Sequence, residues 1–183
     1  AKLSGLDLTD YAILARSIKE PEEISLTIEA AKFADLFLTR LHAVAGDIIN
    51  QGGTELDLMT DAKGHAYDAL MAKHKKAFAG TPMGITASVH SGPRAALPHG
   101  AVLERRPKPG DTLIAGIGAS LGGYHAESGV TLIVGDISQE QKKIMIAMQE
   151  CNDACVEACA KRLTCTAVND AALEALHAAD LGD

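Results

Sequence analysis

The sequence predicts an α+β fold, an antiparallel or mixed sheet with helices packed over one face. Three observations carry this. Apolar residues recur at helix spacing from about residue 21 to 78; the stretch from 85 to 134 turns to short apolar runs broken by Gly and Pro; helix spacing then returns from 138 onward. Strands that arrive in one block pair with each other, and the flanking helices must cover their apolar face. With 183 residues, 47% of them hydrophobic and 22% charged, the chain has material for one core of ordinary globular composition.

Each element has a local reason. Residues 1–17 read as an irregular or partly helical leader or linker. Pro21 opens the first long helix, because proline is tolerated in a first turn, and Glu20, Glu22 and Glu23 complement the positive end of the helix dipole. Its apolar stripe is Ile24, Ile28, Ala31, Ala34, Leu38 and Leu41, and it should run to about Ile49, where Gly52 and Gly53 stop it. Thr54, with Asp57 three residues on, caps a second helix that carries Leu56 to about Phe78. Residues 85–90, 111–117 and 124–134 read as strands and 91–109 as a long loop, with Gly118, Gly122 and Gly123 making the last turn. Ser138 and Gln141 form a capping box for a helix with the stripe Ile144, Met148, Cys151, Cys155, Ala158, reaching about Arg162. Thr166 opens a last helix over 168–179.

Charge and composition exclude some partners. A net charge of -7 opposes general affinity for nucleic acid or anionic lipid, and the clusters Lys73, Lys75, Lys76 and Arg105, Arg106, Lys108 are short enough to be solvated faces. No apolar run approaches the roughly 20 residues a membrane helix needs, and Ala1-Lys2-Leu3-Ser4 lacks a signal-peptide core, so a cytoplasmic protein is expected. Cys151, Cys155 and Cys159 recur at intervals of four on one helix stripe, with Cys165 beyond. That spacing does not close on a zinc ion, and the cysteines read as small buried hydrophobes. The string from Thr112 to Gly123 carries Gly116, Gly118 and Gly122 after an apolar strand, but strand-like residues follow where a dinucleotide loop needs a helix, so a β-hairpin is expected.

Several motifs resemble one family. Ile18-Lys19-Glu20-Pro21-Glu22-Glu23-Ile24 is similar to the Lys-Ser-Pro-Glu-Glu-Ile helix start of Xaa-Pro aminopeptidases, prolidases and creatinases. Ser91-Gly92-Pro93-Arg94-Ala95-Ala96-Leu97-Pro98-His99 resembles that family's Ser-Gly-Pro-Asn-x-x-x-Pro-His loop, and Pro109-Gly110-Asp111 its Gly-Asp. Gly118-Ala119, Gly123-Tyr124, Thr131 and Val134-Gly135 follow at the spacing of Asp-x-Gly-Ala, Gly-Tyr-x-x-Asp-x-Thr-Arg-Thr and a closing Val-Gly.

The resemblance implies the pita-bread fold of the creatinase/aminopeptidase family, present as its first half plus the opening helices of the second. Residues 18–183 would then be a partial catalytic domain. In the family's peptidases, two carboxylates from the first half join a His and two Glu from the second around two divalent metals that activate water. This sequence departs from that set: Gly116 stands at the first ligand position and offers no side chain, Glu127 replaces the second aspartate, and the second-half ligands fall beyond Asp183. No standard metal pair is expected, although Glu127 could serve as one ligand of a single Mn, Zn, Fe or Co ion.

The remaining candidates are histidines and their neighbours. The resemblance places His99 in the substrate pocket, donating to the reacting carbonyl or shuttling a proton; the alternative is a solvent-exposed loop histidine. His125 and Glu127 lie two apart on a strand and share a face, as an acid-base pair, as metal ligands, or as a plain surface pair. His90, Arg94 and Tyr124, in or beside the motifs, are candidate substrate-binding residues. His42, His65, His74 and His177 lie on predicted helices and read as structural or solvated. The resemblance thus implies a hydrolase of C–N bonds in a dipeptide or small amide or guanidino compound, and the rival reading is a pseudo-enzyme that keeps the pocket for binding. An exposed half-sheet favours a homodimer.

Overall fold

The computed structural model describes residues 7–78, 80–97 and 99–181. The first six residues of the expected leader, Pro98 of the loop motif and the last two residues lie outside them. The chain divides into two compact units, one reaching Leu132 and one starting at Ile133.

The first unit places two long helices on a three-stranded sheet. Helix α1 (Thr9–Ser17) is short and has no buried residue. Helix α2 (Pro21–Asn50) starts at its proline, and the Glu23 carboxylate accepts from the Glu20 amide at 2.6 Å. Helix α3 (Glu55–Phe78) starts at the Thr54–Asp57 box: the Thr54 amide donates to Asp57 at 2.8 Å, and the Asp57 amide to Thr54 Oγ1 at 3.2 Å. A two-pronged ion pair from Arg40 to Asp61, at 2.6 and 3.1 Å, joins α2 to α3.

Strands β1 (Gly84–Ser91), β2 (Thr112–Leu121) and β3 (Tyr124–Ile133) lie in that order, with β1 antiparallel to β2 and Ser88 opposite Gly116. Leu113, Ala115, Ile117, Ala119 and Leu121 of β2 are buried, which is the alternation of a strand with one face on a core. Helix α2 packs on β2 and α3 on β1, and the core between them includes Phe37, Leu41, Leu58, Leu70 and Val89. Gly122 and Gly123, with φ of 61° and 88°, make the two-residue turn that matches strand twist, so the glycine-rich string is a hairpin.

Two expectations need correction here. Gly118 is not a turn residue; β2 runs straight through it, because Gly118 faces Thr86 across the ladder and a Cβ there would lie 2.9 Å from Thr86 Oγ1. The buried stripe of α2 keeps Ala34 and Leu41 of the expected set and adds Ala30, Phe33, Phe37 and Ala45. Ile24 and Ile28 are exposed, since the first turns of α2 pass beside the Gly122–Gly123 turn and line an open depression instead of meeting a strand.

The second unit consists of α4 (Gln139–Ala160) and α5 (Cys165–Ala178), which pack on each other. The Ser138–Gln141 capping box forms, with bonds of 3.0 and 3.1 Å. The cap of α5 is Thr164, not Thr166: its hydroxyl accepts from the Ala167 amide at 3.2 Å, and the helix starts three residues earlier than its apolar pattern. All four cysteines are free thiols, and only Cys151 is buried. Cys155 is half-buried and its thiol titrates above the usual range, chiefly through desolvation, while Cys159 and Cys165 are exposed. The outer cysteines therefore do not act as core residues within this unit. No helix among the described residues is long and apolar enough to cross a membrane.

Candidate active site

The open face of the sheet is lined by small side chains, and this follows from the strand register. Ser88 and Thr86 of β1 lie opposite Gly116 and Gly118 of β2, on the face turned away from the helices. With no Cβ at these two glycines, a depression of about 370 Å³ remains over β2. Its lining includes Ser88, His99, Gly116, Gly118, Glu127 and Ser128. His99 and Glu127, far apart in sequence, thus meet one pocket. Both are exposed, and among the described residues neither side chain has a hydrogen-bonding partner, so both are available to a bound molecule.

The His99 loop rests on a buried polar frame. Glu55, the first residue of α3, is 0% exposed, and one of its carboxylate oxygens accepts from the Ser91 amide at 2.7 Å and the Ser91 hydroxyl at 2.8 Å. Arg94 approaches the other oxygen at 3.4 Å. Arg105 donates to Ser91 Oγ at 2.5 Å and to Asp111 at 2.7 Å, and its guanidinium together with the Lys108 amide draws the Asp111 carboxyl below its ordinary range against the effect of burial. Gly92 closes this frame: its φ is 57°, and a Cβ there would lie 2.5 Å from the Arg105 guanidinium. Glu55 carries no sequence signal of its own, since a glutamate in a first helical turn reads as a solvated dipole partner. Only the loop folding back over α3 buries it.

The other candidate residues are dispersed. His125 is exposed on β3 and lines a second depression at the hairpin turn, with Arg16, Lys19 and Tyr124; it makes no hydrogen bond to Glu127. The Tyr124 hydroxyl donates to Glu23, which raises the phenol pKa and lowers that of the carboxyl. His90 is 2% exposed and bonds the Gly100 carbonyl at 2.7 Å. Arg94 also donates to the Ala101 carbonyl. Neither His90 nor Arg94 lines the pocket of His99 and Glu127. The Ser91 hydroxyl is engaged by Glu55 and Arg105.

As for metals, the pocket contributes one carboxylate, from Glu127, and one imidazole, from His99. Position 116 supplies no donor, and no group of three or more His, Cys, Asp or Glu side chains among the described residues could hold an ion. This donor set does not fit a two-metal centre.

The helix-covered antiparallel sheet, with its glycine-lined open face and returning histidine loop, defines a pita-bread α+β half. The chain belongs to metallopeptidase family M24, whose model matches residues 26–183. It is similar to the probable dipeptidase PepE of Mycobacterium tuberculosis, with 28% identity over 176 residues, 96% of this chain and 43% of the relative. It is also similar to the Xaa-Pro dipeptidase of Pyrococcus furiosus, with 27% identity over 92% of this chain and 44% of the relative. Among solved structures, dipeptidase PepE from Mycobacterium ulcerans superposes with a TM-score of 0.72 at 26% identity, over 96% of this chain and 44% of that one. Prolidase from Pyrococcus furiosus does so at 0.75 and 22% identity, over 95% and 48%, a likeness of fold. The chain thus spans less than half the length of the relatives it matches.

Proposed function

We propose that this chain forms one half of a hydrolase that cleaves a C–N bond in a dipeptide, Xaa-Pro-like or otherwise, or in a small amide or guanidino compound. The carrying observation is that His99 and Glu127, neither with a side-chain partner among the described residues, line one depression over glycines 116 and 118. His99 donates a hydrogen bond to the carbonyl oxygen of the scissile group, and Glu127 accepts a proton from the attacking water and returns it to the leaving nitrogen as the C–N bond breaks. His125 and Tyr124 line the separate depression at the hairpin turn and are given no step in this pocket. Glu127 is the one carboxylate lining this pocket among the described residues, so a single ion held there would have it as a ligand. The free thiols fit a cytoplasmic setting, and the exposed apolar side chains of α4 and α5 fit a homodimer.

The test uses the full-length gene product against Xaa-Pro dipeptides, other dipeptides and creatine, with metal analysis alongside. The expected result is turnover that His99→Ala and Glu127→Gln each lower by about 10²–10⁴-fold. Stoichiometric metal with chelator-sensitive turnover would replace this reading by a metal-dependent one. A second reading, a pseudo-enzyme that retains the pocket for binding, is favoured by Gly116 alone; it predicts ligand binding without turnover on the whole panel.

A further inference from the structure

We propose that His90 and Arg94 are positioning residues that hold the His99 turn from both sides, setting where the His99 imidazole enters the pocket; this rests on the reading of His99 as the donor to the scissile carbonyl. His99 sits in a tight turn, closed by the Gly100 amide donating to the Leu97 carbonyl at 3.4 Å. The two carbonyls that follow it are each held by a side chain from the other limb of the loop. The ring of His90, 2% exposed at the end of β1, meets the Gly100 carbonyl through Nε2 at 2.7 Å. The Arg94 guanidinium donates to the next carbonyl, Ala101, and is itself anchored through Nε to buried Glu55 at 3.4 Å. Position 100 fits between the two: a Cβ there would lie 3.5 Å from His90 Nε2 and 3.7 Å from Arg94 Nη2.

The chemistry fixes the role of each group. A carbonyl oxygen only accepts, so Nε2 of His90 must carry a proton and cannot act as a base through that atom. A buried imidazole deprived of its carbonyl would be left with an unsatisfied donor, which ties the ring to the turn as firmly as the turn to the ring. The loop thus has one end on the sheet, through His90, and one on α3, through Arg94 and Glu55. Displacement of a reacting group by about 1 Å is enough to cost about 10²-fold in rate, so a clamp one residue from His99 is in a position to matter.

The experiment measures backbone order by ¹⁵N relaxation in the full-length protein, together with hydrolysis of the best substrate found. Wild type and His90→Gln, whose amide can still donate to Gly100, should keep the order parameters of His99 and Gly100 near about 0.85, whereas His90→Phe and Arg94→Met should lower them below about 0.6. In parallel, kcat should fall at least ~10-fold in His90→Phe with KM within about two-fold, and His90→Gln should restore it. Unchanged order in both releasing variants overturns the clamp, whatever happens to turnover. Lost order with unchanged turnover supports the clamp and instead removes His99 as that donor. Should His90→Phe fail to fold, Arg94→Met carries the same measurement from the more exposed side of the loop.

Discussion

The two helix pairs of this chain differ in what lies across them. Helices α2 and α3 sit on β2 and β1, and Phe37, Leu41, Leu58 and Leu70 between them are 0% exposed. Helices α4 and α5 touch each other, yet within their unit α4 buries only Ala147, Cys151 and Ala158 and α5 nothing. Met148 and Val156 are 51% and 60% exposed. Local signals are equally good in both pairs, since Ser138 and Thr164 cap their helices as well as Thr54 does. Caps and spacing therefore specify that a helix forms and where it starts, while a core arises only where a second layer covers the apolar stripe.

The comparison can be broken most severely at Glu55. Glu55→Ala strips the buried Ser91 amide of its acceptor and leaves Arg94 and Arg105 short of countercharge, so about 3–5 kcal/mol of stability should be lost, read by urea unfolding followed by circular dichroism. Next, Leu70→Ala in the first unit should cost about 2–5 kcal/mol through cavity formation, while Met148→Ala in the second stays within about 0.5 kcal/mol. Equal losses at the two sites would mean that α4 is covered in solution by something of its own. Ser138→Ala should cost about 1 kcal/mol by freeing the Gln141 amide, and hydrogen exchange should report it as faster exchange in the first turn of α4 only.

The smallest effect is electrostatic. Glu29 takes Lys32 at 2.7 Å, Lys73 at 2.5 Å and His74 at 2.9 Å, which pull its carboxyl from an ordinary 4.5 down to about 2. A carboxyl depressed in the folded state stabilises the fold above pH 4.5, and that contribution fades as pH falls toward about 2. Glu29→Gln should therefore flatten the acid limb of the stability curve between these values, and added salt should shrink the difference, because both lysines are more than half exposed.

The legible part of the site was the part carried by short motifs at fixed spacing. His99, Gly116 and Glu127 were marked by the Pro-His loop, the Gly-Ala step and the Gly-Tyr step, and the structure gathers them because the hairpin register puts Glu127 over Gly118 and the loop returns over β2. Glu55 and the His90–Gly100 bond were not legible. Both are made by residues whose local readings, a dipole-pairing glutamate and a strand-end histidine, differ from the partners they find 36 and 10 residues away.

Sequence by itself determined the order of elements, the helix starts at Pro21, Glu55 and Gln139, and the hairpin at Gly122 and Gly123, because caps, proline and left-handed glycines act through bonds and dihedrals within a few residues. Tertiary structure alone decided which apolar stripe is buried. Ile24 and Ile28 lost that place to Phe33 and Phe37, and in α4 Cys151 and Ala158 of the expected stripe are buried with Ala147 while Ile144 and Met148 are exposed, because burial depends on what stands opposite a side chain, and periodicity carries no information about that.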